Sequence, residues 1–243
     1  MAKLIARLYA RYERYICKQL DALITVTPTQ TDYYKRINSN TVEIRNYPII
    51  SEIQCIPRDR DTIAFAGGIT HQWNHDVVIR ALNSIDNAKY VLCGPANNYL
   101  NELKKINGWE KVHYLGKIQH EMVSSVLSKA TIGVALLTPS SNTGGKNGTM
   151  GNTKIFEEMM AGLPVVCTNF VLWRDFIDRY QCGICVNPLS EKEVIAAFKY
   201  LLNNPEEARR MGDNGIKAIK EEYNWKIEEK KLFELYDLVL GYK

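Results

Sequence analysis

The chain has 243 residues, 46% of them hydrophobic and 24% charged, and 31 Lys and Arg against 27 Asp and Glu leave a net charge of +4. These proportions exclude a disordered or fibrous chain, and at about 150 residues per domain the length suits one α/β domain plus a substantial extra piece. No apolar run approaches the roughly 20 residues that cross a bilayer, no charged and then apolar start marks a secretory leader, and so mild a charge gives no mandate for nucleic acid. The expected location is the cytoplasm. Six cysteines, at 17, 55, 93, 167, 182 and 185, sit in scattered apolar contexts and are expected to be free thiols.

The chain opens on a basic amphipathic helix over about 2–20. Leu4, Ile5, Leu8, Tyr12, Tyr15 and Ile16 share one face, and Lys3, Arg7, Arg11, Arg14 and Lys18 run around the other. Such a helix suits packing onto the body, onto a separate polypeptide or a second copy, or peripheral contact with an anionic membrane at its inner face. One strand at 22–26 and a short helix at 28–36 follow. A single strand forms no sheet of its own, so residues 1–45 read as a remnant of another domain or as an appendage. Residues 46–60, with Pro48 and Pro57 and mixed polarity, read as a linker.

Residues 61–222 alternate strands and helices. Apolar runs at 62–66, 89–93, 111–115, 131–137, 162–167 and 183–186 are spaced by helical patterns at about 74–84, 96–106, 118–129, 152–162 and 170–179. Continuous apolar strands separated by helices predict an α/β fold with a Rossmann-like parallel sheet buried on both faces. The first three strands end at Gly67-Gly68, Gly94-Pro95 and Gly116. Glycine at those ends points to ligand loops on the carboxyl edge. Helices at 190–203 and 205–222 close the domain, and one more lies near 225–240.

The stretch 138–166, TPSSNTGGKNGTMGNTKIFEEMMAGLPVV, holds the most chemistry. Four glycines fall within residues 144–151, too many for a packed segment, and lead into a helix at Asn152 or Thr153. A helix start offers unsatisfied N–H groups and a positive dipole end to an anion. No Asp or Glu occurs from Met122 through Phe156, whereas Lys129, Lys146 and Lys154 supply positive charge. A phosphate site and a mobile loop capped by Asn152 both fit this pattern. Glu157 and Glu158 stand one turn inside the helix, beside an apolar stripe of Phe156, Met159, Met160 and Leu163. A carboxylate there suits a ribose diol, or simply the helix dipole.

Other signals are weaker. His71 and His75 stand four apart, but a helix start falls between them and no third ligand is evident, so no metal is expected. His71, after Gly67-Gly68, is either an exposed loop histidine or a phosphate contact. Cys182 and Cys185 have redox spacing but lie on an apolar strand that points them to opposite faces. They read as structural.

Lys154-Ile-Phe-Glu-Glu-Met-Met-Ala-Gly-Leu-Pro-Val-Val166 resembles the signature of GT-B-fold retaining glycosyltransferases. Phe65-Ala-Gly-Gly68, Val91-Leu-Cys-Gly-Pro95, Val112-His-Tyr-Leu-Gly116, Cys182-Gly-Ile-Cys-Val186 and Asn204-Pro-Glu-Glu207 fall in that family's order, over about residues 20–240. The resemblance implies a nucleotide-sugar donor domain at 61–222, a remnant of the acceptor-side domain at 1–45, and a crossover helix at 223–243. It implies Glu157 on the ribose, the amides of Asn152, Thr153 and Lys154 toward the diphosphate, Gly151 beside them in the donor site, and the Gly116, Lys117 and Ile118 loop along the base. Gly68, His71, Gly94 and Lys146 complete the implied donor site, with no metal or cofactor needed.

Three departures stand out. Thr149 occupies the place of the first glutamate of the family's E-x7-E pair, and Gly68 and Trp73 occupy the places of its Arg and Lys. Most of an acceptor domain has no counterpart. The expected function is retaining hexosyl transfer to a polysaccharide or glycolipid acceptor, with a non-catalytic nucleotide-sugar-binding subunit or a nucleotide-sugar epimerase as alternatives. The residues assign no catalytic group.

Overall fold

The structure is a computed structural model that describes residues 2–50, 57–140 and 143–241; Cys55 and part of the expected linker lie outside them. The chain divides into two units, residues 1–49 with 224–243, and residues 50–223. Among the described residues no helix is long and apolar enough to cross a membrane.

The first unit begins with α1 (Ala2–Gln19), β1 (Leu23–Thr25), α2 (Pro28–Lys35) and β2 (Thr41–Glu43). Thr27 starts α2 by accepting the Gln30 amide at 3.4 Å, with Pro28 in the first helical turn where its missing N–H costs nothing. The strand expected to stand alone has a partner. β1 pairs in parallel with β2, Leu23 opposite Thr41, and this second strand escaped the reading because three residues give no usable alternation. Asn38 ties α1 down by donating to the Cys17 and Leu20 carbonyls at 3.0 and 2.7 Å.

The second unit carries β3 (Thr62–Ala66), α3 (His75–Leu82), β4 (Lys89–Cys93), α4 (Asn98–Leu103), β5 (Val112–Gly116), α5 (His120–Ser128) and β6 (Ile132–Ala135). It continues with α6 (Lys154–Met160), β7 (Val165–Thr168), α7 (Val171–Tyr180), β8 (Gly183–Val186), α8 (Glu191–Asn203) and α9 (Pro205–Glu221). All six strands are parallel, in the order β5-β4-β3-β6-β7-β8. The chain walks outward from β3 to β5, then returns to the other side of β3. The strand order therefore reverses between β3 and β6, and doubly wound sheets hold their ligands outside the carboxyl ends at that point.

Alternation along the strands assigns the two faces. Ile63, Phe65, Tyr90, Leu92, Ile132 and Val134 meet Val78, Leu82, Leu100 and Phe198 on one side, and Ala64, Ala66 and Cys93 meet Leu127, Ala161 and Leu163 on the other. Each large side chain buried this way contributes about 1.5–3 kcal/mol. The second face is built of small residues, so its helices approach closely. α6 ends where Gly162, at φ +72°, turns the chain back, its N–H donating to Met159 O at 3.0 Å while Leu163 N–H donates to Glu158 O at 3.1 Å. α9 then crosses so near that a Cβ on Gly212 would lie 2.0 Å from the Gly162 carbonyl oxygen.

The last helix of the chain, α10 (Trp225–Leu240), belongs to the first unit. Its buried Glu228 accepts the Arg45 amide at 2.9 Å and the Lys231 ammonium at 2.8 Å.

Candidate functional site

The carboxyl edge of the large sheet ends in bare backbone. Gly67 N–H donates to Cys93 O at 3.0 Å, and Gly94 N–H donates to Gly116 O at 2.9 Å. The Tyr114 hydroxyl donates to Gly94 O at 2.8 Å. A Cβ on Gly94 would stand 2.2 Å from Gly67 O, so only glycine lets β3 and β4 finish side by side. Across the switch point Asn74 donates to Leu136 O at 2.8 Å and to Thr138 Oγ1 at 2.9 Å, which anchors the chain leaving β6.

The loop is folded over residues 143–153, contrary to the expectation of an unpacked glycine tract. Gly144, Gly145 and Gly148 all have positive φ, and residues 145–147 form a 3₁₀ turn. Gly145 N–H donates to Ser140 O at 2.7 Å. Gly148 lies against Phe170, Met150 is buried, and Trp173 Nε1 donates to Thr149 O at 2.8 Å. The glycines serve tight turns and close contacts more than looseness.

Lys154 and Glu157 meet at this edge. The ammonium lies 2.7 Å from Glu157 Oε2, one helical turn on, and both side chains keep about a fifth of their surface exposed, at 23% and 18%. The Lys154 stem crosses Gly67, whose added Cβ would come within 3.0 Å of Lys154 Cε. A cation and a carboxylate thus stand together beside the end of β3. The helix start is less open than the sequence implied. Asn152 Oδ1 accepts the Lys154 amide at 3.0 Å, and Thr149 Oγ1 accepts the Gly151 amide at 3.0 Å.

The adjacent acid has a different fate. Glu158 is 1% exposed, and its oxygens have no hydrogen-bond partner among the described residues. It is packed on β6, where a Cβ on Gly133 would meet Glu158 Oε2 at 2.8 Å. Burial holds this carboxyl well above the usual carboxylate range, a shift that Lys154 opposes and Glu157 adds to. Sequence reading missed this position. Extending the apolar stripe back to Ile155, three residues before Glu158, is the signal that places it on the covered side.

The remaining candidates scatter. His71 is exposed, lies tilted against Tyr99 at 3.8 Å between ring centroids and stands 3.7 Å from Glu102 Oε2. His75 is buried instead, with Nδ1 2.9 Å from the Tyr90 hydroxyl, and burial lowers it from 6.5 to about 3, so it is neutral. Gly68 faces open space, Lys117 and Lys146 are exposed, and Ile118 packs against the small-residue face of the sheet. Cys185 Sγ lies 3.8 Å from Cys167 on the neighbouring strand, and both are free thiols. A cavity of about 730 Å³ opens at the opposite, amino edge, where Arg60, Lys89 and His113 mingle with Asp59 and Glu110. Its mixed charges select no ligand class. Among the described residues no three His, Cys, Asp or Glu side chains gather to hold a metal.

The sequence profile of the family described as glycosyl transferases group 1 matches residues 47–218. A search of curated protein sequences gives no match. Among solved structures, an S. aureus TarM mutant in complex with fondaparinux, alpha-GlcNAc-glycerol and UDP is 15% identical, with a TM-score of 0.74 over 93% of this chain and 46% of that one. Sucrose-phosphate synthase from Thermosynechococcus elongatus is 18% identical, with a TM-score of 0.73 over 95% of this chain and 61% of that one. Anabaena HepE in complex with UDP and glucose is 13% identical, with a TM-score of 0.75 over 93% of this chain and 66% of that one. This chain therefore spans between 46% and 66% of the length of these three. At such identities the likeness shows the shared fold.

Proposed function

The chain belongs to the glycosyl transferases group 1 family, and from that premise we propose that residues 50–223 bind a nucleotide-sugar donor at the carboxyl edge beside Gly67. The observation that carries this reading is the Lys154 and Glu157 pair, set beside the point where the strand order reverses. On donor binding the pair separates: Glu157 accepts two hydrogen bonds from the ribose diol, and the Lys154 ammonium moves to the diphosphate. Charge that develops on the departing diphosphate is then met by a cation already in place, the kind of preorganised stabilisation that supplies much of an enzyme's rate. Lys146 and the amides near 152–153 add to it. TarM and HepE, whose structures hold UDP, support a nucleotide-sugar as the donor class.

The reaction that follows from this reading is retaining transfer of a hexose to a polysaccharide or glycolipid acceptor, the acceptor being held outside residues 50–223. One observation favours a second reading, a donor-binding subunit without catalysis. Thr149 stands where the resemblance expects a glutamate, and its hydroxyl is engaged within the loop while its carbonyl accepts from Trp173 on α7.

Calorimetric titration of the purified chain with UDP-, GDP- and ADP-sugars tests the site. At least one should bind, and Glu157→Gln should weaken it about 10- to 100-fold, the worth of hydrogen bonds to a charged acceptor. Binding by none, or equal binding by the variant, removes the ribose assignment. Slow donor hydrolysis by the bound chain separates the transferase from the binding subunit.

A further inference from the structure

We propose that α1 is a membrane-surface helix that seats the chain on an anionic lipid bilayer. Three observations on this one element carry the proposal. First, α1 uses its narrowest face for its own unit. Ala10, Glu13 and Cys17, spaced by three and four residues, are its partly buried positions, and the Tyr34 hydroxyl donates to Glu13 at 2.8 Å. Second, the wide apolar face turns away. Leu4, Ile5, Leu8, Tyr12 and Tyr15 are each 60–65% exposed, on an arc that spans roughly 100° around the helix. Third, Lys3, Arg7, Arg11, Arg14 and Lys18 form one stripe along the border of that arc.

The charge pattern selects the occupant. Glu13 is the only acid of α1, and it faces inward on Tyr34, so the outward surface carries cations alone. None of the five cations forms an ion pair among the described residues. A lipid surface with negative headgroups meets both demands at once, since acyl chains take Leu4, Ile5 and Leu8, headgroups take the basic border, and tyrosines suit the level between them. A second copy fits poorly. Laying two such faces together antiparallel brings two all-positive stripes side by side, and laying them parallel leaves each stripe with no acid opposite it. A protein partner would need a matching row of acids along the whole helix.

Co-sedimentation with vesicles of phosphatidylcholine alone, and of phosphatidylcholine with 30% phosphatidylglycerol, tests this. The chain should pellet with the anionic vesicles only, and raising the salt from 50 to 500 mM should release most of it. Each cation near the surface is worth about fivefold in partitioning, so Arg7→Gln, Arg11→Gln and Arg14→Gln together should lower it about a hundredfold. Leu8→Ser with Tyr12→Ser should abolish it. No pelleting with anionic vesicles, equal pelleting with neutral ones, or retention in both variants overturns the proposal. So does light scattering that shows the wild-type chain dimeric and the Leu8→Ser, Tyr12→Ser variant monomeric. Circular dichroism of each variant checks that the fold persists, and donor titration is read separately, so loss of lipid binding is not confused with a failed donor site.

Discussion

α1 and α9 are both strongly amphipathic helices of similar length, 18 and 17 residues, yet they end in opposite environments. The inner face of α9 is Ala208, Met211, Gly212, Gly215, Ala218 and Ile219, all buried. That face is nearly smooth, so the backbone comes within contact of Gly162 and Met159. The apolar face of α1 carries Leu, Ile and Tyr side chains that stay mostly exposed. The period of a pattern says that a helix has a face. The small residues on the α9 face set how near another backbone can come.

Three measurements would break or sharpen this contrast. The largest effect belongs to Gly212→Val, which places atoms inside van der Waals distance of the Gly162 carbonyl. Urea unfolding should show a loss of about 4 kcal/mol. A loss under about 1 kcal/mol would mean that α9 has room to lift.

Next is the pH profile, because the closely packed unit buries a histidine and a glutamate. His75 is lowered from 6.5 to about 3 by burial, so the unfolded chain takes up its proton first as the pH falls. Stability should drop by about 3 kcal/mol between pH 6.5 and pH 4, and His75→Gln should flatten that limb. Glu158 is raised instead, so its contribution is complete below the ordinary value of 4.5 and declines as the pH rises above it. Glu158→Met replaces an unpartnered buried carboxyl by an apolar chain of similar size and should stabilise by about 1–3 kcal/mol. Thermal melts across pH 4 to 9 check both arms.

The smallest effect belongs to α1. Leu8→Ser with Tyr12→Ser should change the unfolding free energy by no more than about 0.5 kcal/mol, as expected for side chains that stay mostly exposed. A loss above about 1.5 kcal/mol in urea would show that this face packs within the chain, which also removes the case for a lipid surface.

Much of the fold was legible because the β-branched runs of the large sheet are buried on both faces, and each of its first three strands stops at glycine. Strand order came into view only with the structure, since periodicity says nothing of neighbours. The site was legible in part. Lys154 and Glu157 could be picked out together because positions three apart share a helix face. Which of two adjacent glutamates is covered is hinted at only by Ile155 at the start of the apolar stripe, and the room that receives Glu158 is made by Gly133, on a strand 25 positions earlier in the chain, which no local pattern reveals. The glycine tract at 144–151 misled for a related reason. Positive φ and looseness both call for glycine, and only Phe170 and Trp173, on α7 and its approach, reveal which one applies.

The crowding of Gly94 against the Gly67 carbonyl leaves the tips of β3 and β4 with no side chains to vary. This part of the rim is a hard edge of peptide, the same whatever it holds. Variation in side chains along this rim is therefore left to the segments beside it, residues 143–153 and 116–119, where replacement does not force two strands apart.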